Sequence, residues 1–263
     1  MTDIQKENKN NGDVDIRPQK LQWTPELVRK FWDGLTYTRL LELGFSRQAG
    51  RSLIIAIDHF LSRDSGILDF GAGDGDLIKF LCDRGYSATA YEQSGERNHS
   101  LNNLLNSHDN FLGIINENSD ETFDVVIMAE VIEHILDSDL NNTLSRISSL
   151  ITPGGVLVVT TPNNEDLELG MVYCPENNLL FHRWQHVRSF TSATLVELLS
   201  KYGVEEIVTH ELELNDALYL QGDPVWGNHE IDEIPGFLNA IKQNKSVKLG
   251  SQQNLLFIGR KIK

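Results

Sequence analysis

The sequence has few cysteines and no long apolar run. Cys82 and Cys174 are its only two cysteines among 263 residues, too few for a disulfide framework and in keeping with a reducing compartment. Apolar runs such as residues 53–57 are far shorter than the roughly 20 residues that a membrane-spanning helix needs. The first residues, MTDIQKENKN, are polar and lack the apolar stretch of a secretory signal. These absences predict a cytoplasmic protein with no membrane partner.

Basic residues are also scarce. The chain carries 23 lysines and arginines against 38 acidic residues, a formal net charge of −15. Such a charge repels phosphate backbones and anionic lipids, which disfavours a nucleic-acid partner without excluding RNA. Hydrophobic residues make up 40% of the chain, enough to bury a core and to exclude wholesale disorder. At this length we expect one large α/β domain with decorations, or two small domains.

The pattern along the chain predicts three regions. Residues 1–20 are polar and predict a disordered tail. Residues 21–65 predict an amino-terminal helical cap, since Thr24-Pro25 is typical of a helix start and apolar residues follow at helical spacing. From residue 66 onwards, short apolar strands alternate with amphipathic helices, which predicts βαβ units and a parallel sheet. Residues 255–262 predict a last strand, antiparallel at the sheet edge, after an insertion at about 214–253.

A glycine-rich loop is the most informative motif. The apolar strand 67–70 runs directly into Gly71-Ala72-Gly73-Asp74-Gly75 and then into a predicted helix. Glycines let the backbone turn tightly and approach a ligand closely. The spacing is one residue tighter than in a dinucleotide fingerprint, and the aspartates disfavour phosphates at this place. Glu92 follows the second strand, where an acid can accept hydrogen bonds from ribose hydroxyls.

The string ILDFGAGDG at 67–75, Glu92 and the Pro153-Gly154-Gly155 corner together resemble the class I S-adenosylmethionine-dependent methyltransferases. The resemblance implies an α/β, Rossmann-like fold with a seven-stranded, mostly parallel sheet, one antiparallel edge strand and helices on both faces. It places the methyltransferase domain at residues 66–263 and implies S-adenosylmethionine as the cofactor. The cofactor-binding residues that it implies are Asp69, which would face the ammonium group, Gly71, Ala72, Gly73, Gly75, Glu92 and Ala129.

A second motif, Glu130-Val131-Ile132-Glu133-His134, follows the fourth strand. If it opens a helix, Glu130, Glu133 and His134 share one face beside the donor. The aromatic segment at 181–190 could bring His186 to the same edge of the sheet, while His182 is interpreted as a loop residue. Three interpretations stay open. The motif supports the donor pocket, or His134 is a general base, or the motif and His186 bind a divalent metal.

This motif, Thr161-Pro162-Asn163 and the segment containing His186 resemble two branches of the family. One branch is the ubiquinone-biosynthesis-like O-methyltransferases, in which the E-x-x-E-H string does not prove a metal. The other is the small-RNA 3′-terminal 2′-O-methyltransferases, whose metal ligands correspond to Glu130, Glu133, His134 and His186. Two carboxylates and two imidazoles suit Mn²⁺, Fe²⁺, Co²⁺ or Zn²⁺ better than Mg²⁺, so a divalent metal would be a further cofactor.

We therefore predict O-methylation of a small-molecule or carrier-bound acceptor, with His134 and His186 as the catalytic residues. The cap and the 214–253 insertion are expected to close over the acceptor. The first alternative is a metal-dependent RNA 3′-terminal 2′-O-methyltransferase. The second is a non-catalytic donor-binding or scaffold protein, which would dock a basic partner on the acidic segment 205–233. The acceptor and the oligomeric state are left open.

Overall fold

The computed structural model describes residues 17–221, 223–227 and 235–262. Most of the predicted tail, residues 1–16, lies outside the described residues. The strands are β1 (Gln19–Lys20), β2 (Ile67–Phe70), β3 (Ala88–Tyr91), β4 (Phe111–Ile114), β5 (Phe123–Ala129), β6 (Ile151–Pro162), β7 (Met171–Cys174), β8 (Leu179–His182), β9 (Val204–Leu212) and β10 (Asn254–Lys261). The α-helices are α1 (Pro25–Leu35), α2 (Phe45–Ile57), α3 (Asp76–Asp83), α4 (Arg97–Leu105), α5 (Asp137–Leu150), α6 (Ser192–Ser200), α7 (Asp216–Tyr219) and α8 (Gly236–Lys242).

The main sheet has seven strands in the order β4-β3-β2-β5-β6-β10-β9. All neighbours pair in parallel except β10, which is antiparallel to both β6 and β9. This confirms the predicted fold class, a Rossmann-like, mostly parallel sheet with one antiparallel strand toward one edge. The antiparallel strand lies one place further in than we expected, because β9 pairs along its outer side.

Helices cover both faces of this sheet. Successive residues of a strand point to opposite faces, so Val125 and Ile127 pack with α2 and α3, whereas Val126 and Met128 pack with α5 and α6. Burial on both faces accounts for the continuous apolar runs in the sequence. The parallel strands end at one common edge, where the residues after β2, β3, β5 and β6 meet. In the part of the chain that is described, no helix is long and apolar enough to span a bilayer.

The two segments that we expected to lie over the acceptor take different positions. Helix α1 starts as predicted, with the Thr24 hydroxyl accepting from the Leu27 amide at 3.3 Å, and it lies above the strand ends. Helix α2 belongs instead to the sheet core, and α7 and α8 pack on α2. The helices of the 214–253 insertion that the structure describes therefore cover α2, whereas we expected the insertion to lie over the acceptor.

The acidic segment 205–233 is partly neutralised within the chain. Three of its acids, Glu230, Asp232 and Glu233, lie outside the described residues. Three of the other acids form ion pairs with basic side chains from other elements. These pairs are Glu211–Lys248, Asp216–Arg51 and Asp223–Arg84. This neutralisation weakens the expectation of a docking surface for a basic partner.

A second, small sheet lies beside the strand ends. Its order is β1-β8-β7, with β1 parallel to β8 and β7 antiparallel to it. Residues 19 and 20, which we placed in the disordered tail, thus form an ordered strand. This sheet carries His182 at the end of β8, so His182 is a buried strand residue and not a loop residue.

Candidate functional site

The glycine loop after β2 has a backbone that requires glycine. Gly71, Gly73 and Gly75 have φ values of +85°, +55° and +88°, in the left-handed region that side chains disfavour. A Cβ atom on Gly71 would lie 2.6 Å from Val131 Cγ2, and one on Gly75 would lie 2.8 Å from Leu101 Cδ2. The loop therefore exposes main-chain atoms without side chains at the sheet edge, where a ligand can approach them closely.

Glu92 lies directly beside this loop. Its carboxylate accepts the Gly73 amide at 2.8 Å and the Ser94 amide at 2.7 Å. The Ala72 amide in turn donates to the Tyr91 carbonyl at 3.0 Å. These bonds join the ends of β2 and β3 and hold the acid at the position expected of a ribose-binding residue.

Asp69 provides a buried carboxyl group beneath the loop. Its side chain is buried, and its Oδ2 has no hydrogen-bond partner among the described residues. Burial, together with the nearby charge of Glu92, raises the pKa of Asp69 to about 8. An orphaned buried carboxyl oxygen needs a donor or a cation, and the ammonium group of S-adenosylmethionine is such a cation. The residues present therefore fit this cofactor.

Arg97, at the start of α4, lies over the same loop. It was not identified from the sequence. Its Nη1 atom is 3.1 Å from the position of a Cβ on Gly73, and its guanidinium stacks on the Trp32 ring at 4.7 Å. No ion pair of Arg97 is present in the described ranges. The loop thus has a carboxyl group on one side and a cation on the other, which suits a zwitterionic ligand.

The acid–histidine motif is a turn and not the predicted helix. After Ala129, the last residue of β5, Glu130 takes a left-handed φ of +53° and its amide donates to the Thr160 carbonyl at 3.0 Å. The backbone reverses here, and α5 begins only at Asp137. Glu130 cannot belong to a right-handed helix because its φ is left-handed. The turn nevertheless aims Glu133 and His134 at the expected edge.

Three histidines stack at this edge. The His134 and His186 ring centroids are 4.9 Å apart, and those of His186 and His182 are 4.4 Å apart. One ligand atom each of Glu133, His134 and His186 lie within 4.8 Å of one another, as do those of Glu165, His182 and His186. The structure thus brings three of the four predicted metal ligands together, and Glu130 lies outside both groups.

The two acids of the motif are held in an apolar environment. Burial raises the pKa of Glu130 to about 7, against opposing hydrogen bonds from Thr160 and Asn254. Burial and the charge of Glu130 raise the pKa of Glu133 well above its usual value. Oε1 of each acid has no hydrogen-bond partner within the described part of the chain. Both acids would gain from a cation at this place.

His134 and His186 differ in their electrostatic environment. Burial, His186 and Arg97 lower the pKa of His134 well below its usual value, which makes it a weak base at neutral pH. His186 Nδ1 lies 2.5 Å from the Glu165 carboxylate. Burial raises the pKa of Glu165, but hydrogen bonds and charges from His182 and His186 outweigh it, so the pKa falls to about 2. Glu165 is therefore ionised.

Gln185 connects the site to α1. Its side chain is buried, accepts the Trp32 indole N–H at 2.9 Å and donates to the His134 carbonyl at 2.9 Å. Its φ of +64° is unusual for a residue with a side chain. This strained conformation is maintained by two buried hydrogen bonds, which fix α1 over the histidines.

Sequence reasoning missed Glu165, Gln185, Trp32 and Arg97. A weak signal was available for Glu165, because it lies two residues after the Thr161-Pro162-Asn163 string that we singled out. Arg188 donates to the Ile132 carbonyl and to Asp137.

Comparisons with known proteins agree with this geometry. Residues 45–210 match the methyltransferase domain family. The human mitochondrial ubiquinone biosynthesis O-methyltransferase is 30% identical over 152 residues, which cover 52% of this chain and 41% of the relative. The chain thus matches less than half the length of this curated relative.

Two solved structures share the fold. One is the Burkholderia thailandensis 1,6-didemethyltoxoflavin-N1-methyltransferase with bound S-adenosylhomocysteine, with a TM-score of 0.57, 17% identity and coverage of 94% of both chains. The other is the complex of the Haloferax volcanii Trm112 activator with a methyltransferase, with a TM-score of 0.60, 15% identity and coverage of 88% of this chain and 98% of that chain. With the family match over more than half of its length, the chain belongs to the methyltransferase domain family, within the class I S-adenosylmethionine-dependent methyltransferases.

Proposed function

We propose that this chain methylates an oxygen atom of a small-molecule or carrier-bound acceptor, with His186 as the general base. The observation that carries the proposal is the Glu165–His186 hydrogen bond at the same sheet edge as the glycine loop. A carboxylate on one imidazole nitrogen leaves the other nitrogen free to accept a proton. Val131 packs on Gly71, and Trp32 packs on His134. These two contacts connect the glycine loop to the histidines.

The roles of the donor-site residues follow from their positions. When bound, S-adenosylmethionine supplies an electrophilic methyl group. Gly71, Ala72, Gly73 and Gly75 would hold its methionyl part, Glu92 would accept its ribose hydroxyls, and Ala129 would border the site. Asp69 would face its ammonium group. The main tasks of the chain are then to position the acceptor and to remove its hydroxyl proton.

An open cavity of about 540 Å³ supports a small acceptor. It lies between the small sheet and the start of α1, and its walls include Trp23, Met171, Phe181 and His186. The glycine loop does not line it, so donor and acceptor would approach His186 from different sides. The walls combine these apolar side chains with polar and charged ones, including Lys20, Asp137 and Glu168, which suits a compact organic acceptor that carries polar groups.

The activity is tested by incubating the purified protein with methyl-labelled S-adenosylmethionine and a panel of hydroxylated small molecules. We expect methyl transfer that yields a methoxy product and that persists in the presence of a chelator. Transfer only to nitrogen, or no transfer despite tight binding of S-adenosylhomocysteine, would contradict O-methylation. The second result would favour the non-catalytic donor-binding alternative.

A metal-dependent activity is the second candidate, favoured by the convergence of Glu133, His134 and His186 and by the unpartnered Glu133 Oε1 and His134 Nδ1. These residues fit Mn²⁺, Fe²⁺, Co²⁺ or Zn²⁺, and a bound metal would supply Lewis acidity toward the acceptor hydroxyls. A 2′-hydroxyl at an RNA 3′ end is the acceptor to test. Stoichiometric metal by elemental analysis and transfer to a short RNA that a chelator abolishes would favour this candidate over the first.

The human relative carries a mitochondrial name, so the cytoplasmic location stays a prediction.

Donor binding is expected to release a proton near neutral pH. Because the pKa of Asp69 is raised to about 8, its carboxyl group is mostly protonated at pH 7 in the free protein. A neighbouring ammonium group lowers that pKa, so binding displaces up to about one proton. Affinity for S-adenosylhomocysteine should therefore increase as the pH rises from about 6 to 8 and then level off.

Calorimetry at pH 7 in two buffers of different ionisation enthalpy measures this proton release. The apparent binding enthalpy should differ between phosphate and Tris, and the difference should vanish in Asp69→Asn. Equal enthalpies in both buffers for the wild-type protein would show that Asp69 does not contact the ammonium group.

A further inference from the structure

A carboxylate outside the predicted site lies between two stacked histidines. Glu165 follows β6, and its Oε2 lies 2.5 Å from His186 Nδ1 while its Oε1 lies 3.3 Å from His182 Nε2. The His182 side chain is 1% exposed and that of His186 is 9% exposed. Neither the sequence motifs nor the family match assigns a role to Glu165 or His182.

The hydrogen bonds around His182 determine which of its nitrogens carries the proton. His182 Nδ1 accepts the His186 amide at 3.1 Å and the Trp184 amide at 3.3 Å. A nitrogen that accepts hydrogen bonds holds a lone pair, so the ring proton of neutral His182 is on Nε2, which lies 3.3 Å from Glu165 Oε1 without hydrogen-bond geometry. Since neither nitrogen of His182 has a lone pair to spare, His182 is not a metal ligand in this arrangement.

Backbone contacts fix this group in place. The His182 ring lies against Gly170, where a Cβ atom would be only 1.9 Å from Nε2. On the other side, the Asn164 amide donates to the Phe190 carbonyl at 2.7 Å, which anchors the loop that carries Glu165. Asn164 has a φ of +49°, which turns the chain so that Glu165 points inward. The geometry of Glu165 is therefore imposed by its surroundings.

The contact with Glu165 also determines the tautomer of His186. With Oε2 of Glu165 against Nδ1, the proton of neutral His186 resides on Nδ1 and the lone pair on Nε2. Either role considered for His186, proton acceptor or metal ligand, needs that Nε2 lone pair.

We propose that Glu165, which lies between His182 and His186, is a positioning residue that locks His186 in the Nδ1–H tautomer and leaves its Nε2 free for the reaction. The catalytic consequence rests on the proposed methyltransferase function, whereas the tautomer itself does not. Loss of a carboxylate behind a working imidazole typically lowers activity by about 10- to 100-fold.

Nuclear magnetic resonance of the wild-type protein tests the tautomer without an acceptor. Two-bond proton–nitrogen spectra of protein labelled with ¹⁵N-histidine are recorded at pH 8, and the ring signals are assigned with His182→Asn and His186→Asn. We expect His186 as the Nδ1–H tautomer and His182 as the Nε2–H tautomer. An Nε2–H signal for His186 would overturn the proposal, whether or not the protein transfers methyl groups.

Glu165→Gln tests the positioning role. Glutamine is uncharged and has one oxygen acceptor and one NH₂ donor, so its side chain can present either group to His186 Nδ1 and no longer selects one tautomer. We expect a mixed tautomer at His186 and a kcat about 10- to 100-fold lower, with unchanged affinity for S-adenosylhomocysteine. Glu176→Gln, an exposed acid in the turn between β7 and β8, is the matched control and should behave like the wild type. A wild-type tautomer and kcat in Glu165→Gln would overturn the proposal.

Discussion

His186→Ala is expected to lower kcat for methyl transfer by about 10² to 10⁴-fold, the usual contribution of a general base. His186 has the imidazole nitrogen that a carboxylate orients, whereas burial lowers the pKa of His134 well below its usual value. The substitution by alanine removes the imidazole nitrogen that we assign as the proton acceptor of the reaction. The rate is measured at saturating donor with the acceptor that reacts fastest in the panel.

The affinity for S-adenosylhomocysteine should not change in this variant, because the glycine loop and Glu92 belong to other elements. His59→Ala is the matched control, since His59 is exposed and contacts Asn244. Its kcat should equal that of the wild type. A wild-type kcat in His186→Ala would remove His186 from both the base and the metal-ligand roles.

Arg84→Met is expected to lower the free energy of unfolding by about 3–5 kcal/mol, the cost of leaving a buried charge without its partner. Arg84 Nη1 donates to both carboxylate oxygens of Asp223 at 3.1 and 2.9 Å, and its Nη2 donates to Asp58 at 3.2 Å. The side chains of Arg84 and Asp223 are 8% and 5% exposed. Urea unfolding measures the change.

Two further variants distinguish the effect of an unpaired buried charge from a general loss of stability. Arg84→Met combined with Asp223→Asn should be more stable than Arg84→Met alone, because the uncompensated carboxylate is gone and the amide oxygen still accepts the backbone N–H groups of Val225 and Trp226. Lys201→Met removes an exposed pair with Glu197 and should cost no more than about 0.5 kcal/mol. A loss in Arg84→Met as small as that of Lys201→Met would contradict a structural role for the pair.

The same pair predicts the direction of the pH dependence of stability. Although burial raises the pKa of Asp223, hydrogen bonds from Arg84, Trp226 and Val225 lower it below the usual value. A lowered folded-state pKa stabilises the protein above the pKa of the unfolded chain, and this stabilisation is lost as the pH falls through the folded value. Asp223 thus contributes to acid unfolding.

The glycine loop and the position of Glu92 beside it could be predicted from the sequence because their signals are local. The glycines of residues 71–75 follow a buried strand directly, and their spacing alone determines a tight turn. Glu92 ends the next strand, and parallel strands end at one edge, so its position beside the loop followed from the fold class. The bond between Glu92 and Gly73 matches that expectation.

The histidine cluster was predictable only in part because its members come from distant segments. The proximity of His134 and His186 followed from both segments returning to the same edge. Glu165 and His182 are placed by a loop with left-handed residues and by a short sheet, neither of which has a periodic pattern. The turn at Glu130 was misread as a helix because residue spacing does not reveal a backbone bond to Thr160. The position of α2 in the core was missed because an amphipathic helix does not reveal which surface it covers.

Calorimetric titration with S-adenosylhomocysteine tests the central claim, that the loop at 71–75 and Glu92 bind this nucleoside. We predict saturable one-to-one binding by the wild-type protein, no detectable binding of NAD⁺, and an affinity about 10- to 100-fold lower in Glu92→Gln, since a hydrogen bond to a charged group contributes about 1.5–3 kcal/mol. No binding by the wild-type protein, or equal affinity in Glu92→Gln, would contradict the account.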